Sequence, residues 1–332
     1  MKRRQFLAAA GSLPLSLPLS VPLLRAGAAH AATDYPRRAI TYVAPYPAGT
    51  TTDFVARAVA QALSTEVGQP VVVDNRAGAG GTIGSGLVAH ARPDGYTLLQ
   101  GSTSTHGINP TLYAKLPYDA DRSFAPVGLI ASSPLILVLN PSVPARSVQE
   151  LIALARARPG SLRYGSAGNG SSQHLAGQLF ESRAGVDFMH VPYKGGSAAM
   201  TDLLGGQIDM MFEIFPTALP HMQSGRLRAL GVTSPQRMPN LPDLVTLSEA
   251  GVPGYEMSTW HGVLAPVGTP RDIVQALNRA LARALAQPAL QTRFAAAGLQ
   301  AAPGSPEDFG KFIRAEVQRW AGLVKASGAR IE

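Results

Sequence analysis

The sequence predicts an α/β protein built on a parallel sheet with helices on its faces. Three observations carry the prediction. Short apolar runs alternate with helical patterns from Ala39 to Leu99, the alternation restarts after Pro134, and the C-terminal part holds two capped amphipathic helices without strands of their own.

Ala39–Ala44 reads as a buried strand, followed by a helix over Asp53–Glu66. Pro70–Asp74 is a second strand, Thr82 to Ala91 a second helix, and Tyr96–Leu99 a third strand. Beyond Pro134, Leu135–Leu139 is again a strand. Ser147-Val148-Gln149-Glu150 is a capping box opening a helix that Pro159-Gly160 ends. Strands follow at Leu162–Gly165, Phe188–Val191, Ile208–Phe212 and Leu227–Thr233, with a helix over Ser172–Ala184 between the first two. Pro235–Gly254 is rich in proline and glycine and reads as a surface loop. Thr269-Pro270-Arg271-Asp272 and Ser305-Pro306-Glu307-Asp308 each place a hydroxyl at the N-cap, proline at N1 and an acid at N3. They open helices with Ile273, Leu277, Leu281 and Leu285 on one stripe, and Phe309, Ile313, Val317, Trp320 and Val324 on the other.

The N-terminus carries an address. Arg3-Arg4 precedes an uncharged apolar run from Phe6 to Leu24, and Ala29-His30-Ala31 has the small residues that signal peptidase reads. Paired arginines followed by Phe-Leu describe a twin-arginine signal. Pro14, Pro18 and Pro22 lie inside the run and disfavour the alternative, a spanning helix. Cleavage near Ala31 is expected, leaving a mature chain from Ala32 outside the cytoplasmic membrane. The 332 residues carry a formal charge of +8, of which the signal segment holds +4. Half of the basic excess is therefore targeting, and no Lys/Arg block interleaved with aromatics follows, so no nucleic-acid partner is expected. With no cysteine, thiol chemistry and thiolate metal sites are excluded. The mature length suits one large domain or two ordinary ones.

Two strand–loop–helix turns carry the functional signal. Pro45-Tyr46-Pro47-Ala48-Gly49-Thr50-Thr51-Thr52-Asp53 joins the first strand to the first helix, and Gly165-Ser166-Ala167-Gly168-Asn169-Gly170-Ser171-Ser172 does the same in the second half. Glycine lets backbone approach a ligand, and a helix start offers unpaired N–H groups and the positive end of the dipole. Such a turn binds an anion without a cationic side chain. Either loop alone is also an ordinary N-cap; the pair points to a ligand gripped between two halves. A third turn, Asn75–Gly84, contains Arg76 as a candidate cleft residue, and its Gly84-Ser85-Gly86 reads as close packing inside a helix, not as a dinucleotide fingerprint. No G-x-S-x-G, G-x-x-x-x-G-K-[ST] or H-E-x-x-H occurs. His106, His174, His190, His221 and His261 lack ligand spacing, so neither metal nor cofactor is expected.

At these residues the chain resembles the Bug-type solute receptors, the extracytoplasmic binding proteins of tripartite tricarboxylate transporters. The resemblance runs through Tyr35-Pro36, Pro45–Asp53, Asn75–Gly81, Pro93–Thr97, Ile108–Tyr113, Tyr164–Gly168, Val191–Gly195, Gly205–Asp209 and Ala250–Tyr255. It implies a two-lobed type II periplasmic-binding-protein fold, a Venus flytrap with a mixed, mostly parallel sheet in each lobe. Lobe one is expected to hold residues 32–132 plus 256–332, and lobe two 133–255, behind the 1–31 signal peptide. The implied site residues are Tyr46, Ala48, Gly49, Thr50, Thr51 and Asp53 in the first loop and Ser166, Ala167, Gly168, Gly170, Ser171, Ser172 and His174 in the second. Ser102, Thr103, Ser104 and His106 are implied as further cleft contacts, with Tyr193 and Glu213 behind them.

Two positions depart from the family pattern: Thr50 replaces a second glycine, and Glu213 is longer than the usual aspartate or neutral residue. The function implied is a periplasmic receptor, not an enzyme, that takes a small carboxylate, with amino and aromatic acids included, and passes it to membrane transporter subunits. A sensor handing its liganded form to a signalling protein uses the same cleft. An exported enzyme with His106 or His174 as base is the remaining rival, opposed by the missing nucleophile motif. A monomer is expected.

Overall fold

The computed structural model describes residues Tyr35–Ile331. The signal segment and its cleavage site lie outside the described residues. In chain order the elements are β1 (Ile40–Ala44), α1 (Thr51–Val67), β2 (Val71–Asn75), α2 (Thr82–Ala89), β3 (Thr97–Ser102), α3 (Asn109–Leu112) and β4 (Phe124–Leu139). There follow α4 (Val148–Ala157), β5 (Arg163–Ser166), α5 (Ser172–Ala184), β6 (Met189–Pro192), α6 (Gly196–Leu204), β7 (Met210–Ile214), α7 (Phe215–Gln223) and β8 (Arg228–Val232). The chain ends with β9 (Ser258–Pro266), α8 (Arg271–Ala286), α9 (Pro288–Ala296), β10 (Gln300–Ala301) and α10 (Pro306–Ala326). Among the described residues no helix is long and apolar enough to cross a membrane.

The strands run in the order β2-β1-β3-β9-β4-β7-β5-β6, with β8 and β10 attached to β4. Outer strands are parallel: β1 pairs with β2 and β3, and β5 with β6 and β7. The strands between them are antiparallel, because β9 pairs with both β3 and β4, and β4 with β7 and β8. The fold is thus the two-lobed α/β flytrap with mixed sheets. Its two halves share β4, whose first half pairs with β9 and whose second half pairs with β7 and β8. The alternation read from sequence found the parallel outer strands. It missed β9 and the first half of β4, where Pro126 and Gly128 coincide with a register shift that lets a strand pass proline.

Local chemistry explains four of the helix starts. Thr50, Ser147, Ser171 and Ser305 each accept a hydrogen bond from the N–H three residues on. Thr269 does not cap α8 as expected; its hydroxyl donates to Pro266 O at 2.7 Å, and Pro270 occupies the cap without a side-chain bond. Glu150 reaches back to Arg146 N at 2.7 Å, one residue before the cap. The segment 235–254 is no simple surface loop, since Met238, Leu247 and Val252 are buried. Leu247 N donates to Val232 O and Val232 N to Val245 O, stitching it to β8.

Two large apolar cores, with two smaller ones beside them, flank the shared strands. One buries Ile40, Tyr42, Leu98, Ile130 and Val263 under α1 and the Leu277–Leu281–Leu285 stripe of α8. The other gathers Leu135, Leu137, Tyr164, Leu175, Phe180, Phe212 and Tyr255. Helix α10 touches both sides: Phe309 and Ile313 pack with Trp260 and Leu264, whereas Trp320 and Val324 join the Leu135–Phe212 core. At its middle, buried Glu316 accepts both indole N–H groups, from Trp260 at 2.9 Å and Trp320 at 2.8 Å, and faces Arg319 at 3.3 Å. This carboxylate ties β9 to α10 through charge-assisted bonds.

Removing it leaves two buried donors unpaired. Glu316→Ala should lower unfolding stability by about 3 kcal/mol, and Glu316→Gln, which keeps an acceptor, by less. Urea titration checks this; equal losses in the two variants would mean that the indole bonds contribute nothing. Glu213 on β7 makes a second prediction. Its carboxyl is buried, and burial pushes it up to about 7 despite the N–H of Ile214 that donates to it. It folds protonated but ionises near 4.5 when unfolded, so stability present below pH 4.5 is lost as pH rises to about 7. Glu213→Gln should therefore gain about 3 kcal/mol over the parent at pH 8 and almost nothing at pH 4.5. A gain that does not grow with pH would contradict this.

Candidate functional site

Helices α1 and α5 each begin at a loop built to hold its shape. In the first, Gly49 at φ 82° turns the chain so that its N–H donates to Asp53 Oδ2 at 2.9 Å. Asn75 Nδ2 donates to Tyr46 O at 3.0 Å and to Asp53 Oδ1 at 2.9 Å, and Arg57 pairs with Asp53 at 3.0 Å. Burial opposes ionisation of Asp53, but Arg57, Gly49 and Asn75 outweigh it and hold the carboxyl below its usual range. Asp53 thus braces the loop, and its charge is cancelled by Arg57. Thr50 Oγ1 accepts from Asp53 N and donates to Pro47 O at 2.9 Å, so the hydroxyl that departs from the family pattern is spent within the loop. That leaves the N–H groups of Thr51 and Thr52 at the helix start without an intrahelical partner.

Imidazoles brace the second loop. Gly170 N donates to His174 Nδ1 at 3.0 Å, and Gly168 N donates to Ser166 Oγ, which lies 2.7 Å from His190 Nε2. The two rings stack with centroids 4.0 Å apart. Burial lowers the pKa of both, and the neighbouring His174 adds to the effect at His190, which falls to about 4. Both rings are neutral at pH 7, and His174 accepts the N–H that the loop donates. Gly170, at φ 74°, has no room for a side chain: a Cβ there would come within 2.5 Å of Leu112 Cδ2. Ser171 caps α5 through His174 N, leaving the amides of Ser172 and Gln173 without an intrahelical partner.

Both helix starts open onto one cavity of about 460 Å³. Of the residues expected from sequence, Tyr46, Thr50, Thr51, Ser102, Thr103, Ser104, Ala167, Gly170, Ser171 and Ser172 line it. Asp53, Ser166 and His174 stand one layer back as the braces just described, and Ala48, Gly49 and Gly168 shape the turns without facing the cavity. His106 is fully buried away from it, its ring among Tyr118, Phe124 and Trp260. The implied cleft contact fails at His106 because the chain coils from Ser104 to Ile108, sending that side chain inward. Burial brings His106 to about 3, so it is a neutral core residue. Tyr193 spends its hydroxyl on Asp202 at 2.7 Å. Glu213 sits behind the lining, its Oε2 without a protein partner. Arg76 pairs with Asp74 at 2.8 Å and does not reach the cavity.

Thr52, Asn169 and Gln173 join the lining from within the two loops; sequence reading overlooked Gly80, with Asn109, Leu112 and Tyr113 at α3, and Ile214, Thr259, Trp260, His261 and Ile331. The β9 residues were hidden with their strand, although the Thr259–His261 spacing is that of one strand face. Ile331 enters because its N–H donates to Leu112 O while Ala114 N donates to its carbonyl. Not one lining residue is Lys, Arg, Asp or Glu. The lining therefore offers backbone amides, hydroxyls and side-chain amides at two helix starts, with apolar surface between. Among the described residues no cluster of His, Asp and Glu could hold a metal ion.

The model of the tripartite tricarboxylate transporter family receptor matches residues 55–329. The chain is 40% identical to Protein BugT of Bordetella pertussis over 302 residues, 91% of this chain and 93% of BugT. A solved R. palustris protein with adipate superposes with a TM-score of 0.82 at 39% identity, covering 90% of this chain and all of that one. MatC from Rhodopseudomonas palustris with bound malate gives 0.77 at 34%, covering 87% and 100%. The chain belongs to the tripartite tricarboxylate transporter family of extracytoplasmic receptors, and it is a binding protein rather than an enzyme.

Proposed function

We propose that the protein captures a small carboxylate in the cavity between α1 and α5 and hands it to the membrane subunits of a tripartite tricarboxylate transporter. The observation that carries this reading is the convergence of two helix starts on one cavity without a charged side chain. An anion there is held by the amides of Thr51, Thr52, Ser172 and Gln173 and by the positive ends of two dipoles. Leu112, Ile214, Trp260 and Ile331, with the rings of Tyr46 and Tyr113, receive the carbon skeleton. The volume suits a small metabolite. Adipate and malate, bound by the two solved relatives, are both carboxylates.

Residues 32–132 with 256–332 form lobe one and 133–255 lobe two, with the last turns of α10 resting on lobe two. The core shared by Trp320, Val324 and Phe212 supports that contact. The precursor is exported through its twin-arginine signal, cut near Ala31, and acts as a monomer. Glu213 tunes the wall behind Gln173: a Cβ on Gly196 would lie 3.6 Å from Gln173 Nε2 and 3.7 Å from Glu213 Oε2.

A thermal-shift screen of mono-, di- and aromatic carboxylates tests the reading. A matching acid at a hundredfold excess over its Kd should stabilise the protein by about 2.7 kcal/mol. No response to any acid would sink it. Because no cation lines the cavity, affinity should change less than about threefold between 50 and 500 mM salt, where an exposed ion pair is largely screened. A steep loss would place a cation in the site. Replacing Ser171 and Ser172 together by alanine should weaken binding roughly tenfold or more. Unchanged affinity with a lower Tm would leave these hydroxyls only a capping role, worth about 1 kcal/mol.

A further inference from the structure

We propose that His261 is a neutral hydrogen-bond donor of the cleft, offering its Nε2–H to an acceptor oxygen of the bound solute, and that Gln100 holds it in that form. The inference rests on the receptor reading and names the group that reads the solute from the β9 side. His261 lies on β9 opposite Ser102 of β3, lines the cavity and is 5% exposed. No residue expected from sequence to bind ligand supplies a ring N–H to the cavity, since His106 is buried elsewhere and His174 serves its own loop.

The proton's place follows from three atoms. Thr52 O can only accept, so the Gln100 atom 3.0 Å from it is the amide nitrogen, which fixes the orientation of that side chain. The same nitrogen lies 3.3 Å from His261 Nδ1, and its second hydrogen points there. Nδ1 must therefore accept, and a neutral ring then carries its proton on Nε2. Gln100 Oε1 is buried without a partner, so the amide forgoes a bond of its own to keep this arrangement. No protein group among the described residues accepts from His261 Nε2, while the ring borders the cavity beside Thr259 and the α1 start. An unspent donor at the wall of a site full of donors fits an oxygen-rich solute. It discriminates against analogues that present a methyl group or an ammonium at that point. Gln100 is a positioning residue: it never borders the cavity and acts through the ring.

Imidazole nitrogen NMR on the 15N-histidine-labelled mature chain, with His261 assigned through His261→Asn, reads the tautomer directly. Nε2 should appear as the protonated nitrogen, and Gln100→Leu should lose that preference. Calorimetry with adipate, malate and benzoate then reads the consequence for the tightest binder. His261→Phe should weaken it roughly tenfold or more, Gln100→Leu should weaken it less, and His261→Gln, which keeps an N–H at the Nε2 position, should restore most of the affinity. A proton on Nδ1, or equal affinities across the parent, His261→Phe and Gln100→Leu, overturns the proposal. If His261→Phe does not fold, the tautomer in Gln100→Leu and the affinity of His261→Gln still decide it. A parent that binds none of the three acids yet shows the Nε2–H tautomer counts against the carboxylate reading. A proton on Nδ1 in a parent that does bind counts against this proposal alone.

Discussion

Two helix starts facing one uncharged cavity set the terms for everything around them. Each leaves its first amides without an intrahelical partner and presents the positive end of a dipole, so bringing them together is unfavourable until an anion lies between. Nothing in the lining supplies that anion from the protein itself. Asp53, the carboxylate of the first loop, is already bound by Arg57, Gly49 and Asn75. The lining therefore offers no counter-charge of its own to the positive ends of the two helices. Binding by amides instead of lysines, as proposed, would keep the attraction local and poorly screened by salt.

Holding such loops requires rigid support, and the two halves supply it differently. The first uses an ion pair and an asparagine; the second uses two stacked neutral imidazoles. Burial keeps those imidazoles uncharged, so the His174 lone pair that receives Gly170 N–H stays available at neutral pH, with His190 beside the Ser166 hydroxyl. Beneath both, β4 and β9 run antiparallel between the parallel outer strands, and Glu316 binds β9 to α10 through two indoles. Trp260 therefore touches the cavity with one surface and the α10 anchor with its N–H, which couples the wall of the site to the long C-terminal helix.

Much of this was legible in the sequence, and the failures have physical reasons. The capped helices at Thr50, Ser147, Ser171 and Ser305 were readable because a hydroxyl three residues before a needy N–H is local chemistry. The two strand–loop–helix turns were readable for the same reason. Strand β9 was not, because it opens on the polar pair Ser258-Thr259 and carries no clean apolar alternation. The first half of β4 hid behind Pro126 and Gly128. His106 was misplaced because a coil of the chain, which no periodicity announces, decides whether it faces cavity or core. His261 and Gln100 are 161 residues apart, so their contact exists only in the fold.

The central claim is that four backbone amides hold the anion. Backbone 1H–15N spectra of the mature chain, recorded while the tightest carboxylate from the screen is added, test it most directly. The claim predicts downfield amide-proton shifts at Thr51, Thr52, Ser172 and Gln173 that saturate together, with the Arg57 and Arg76 side-chain signals unmoved. Saturating ligand that moves an arginine side chain and leaves those four amides in place would contradict it.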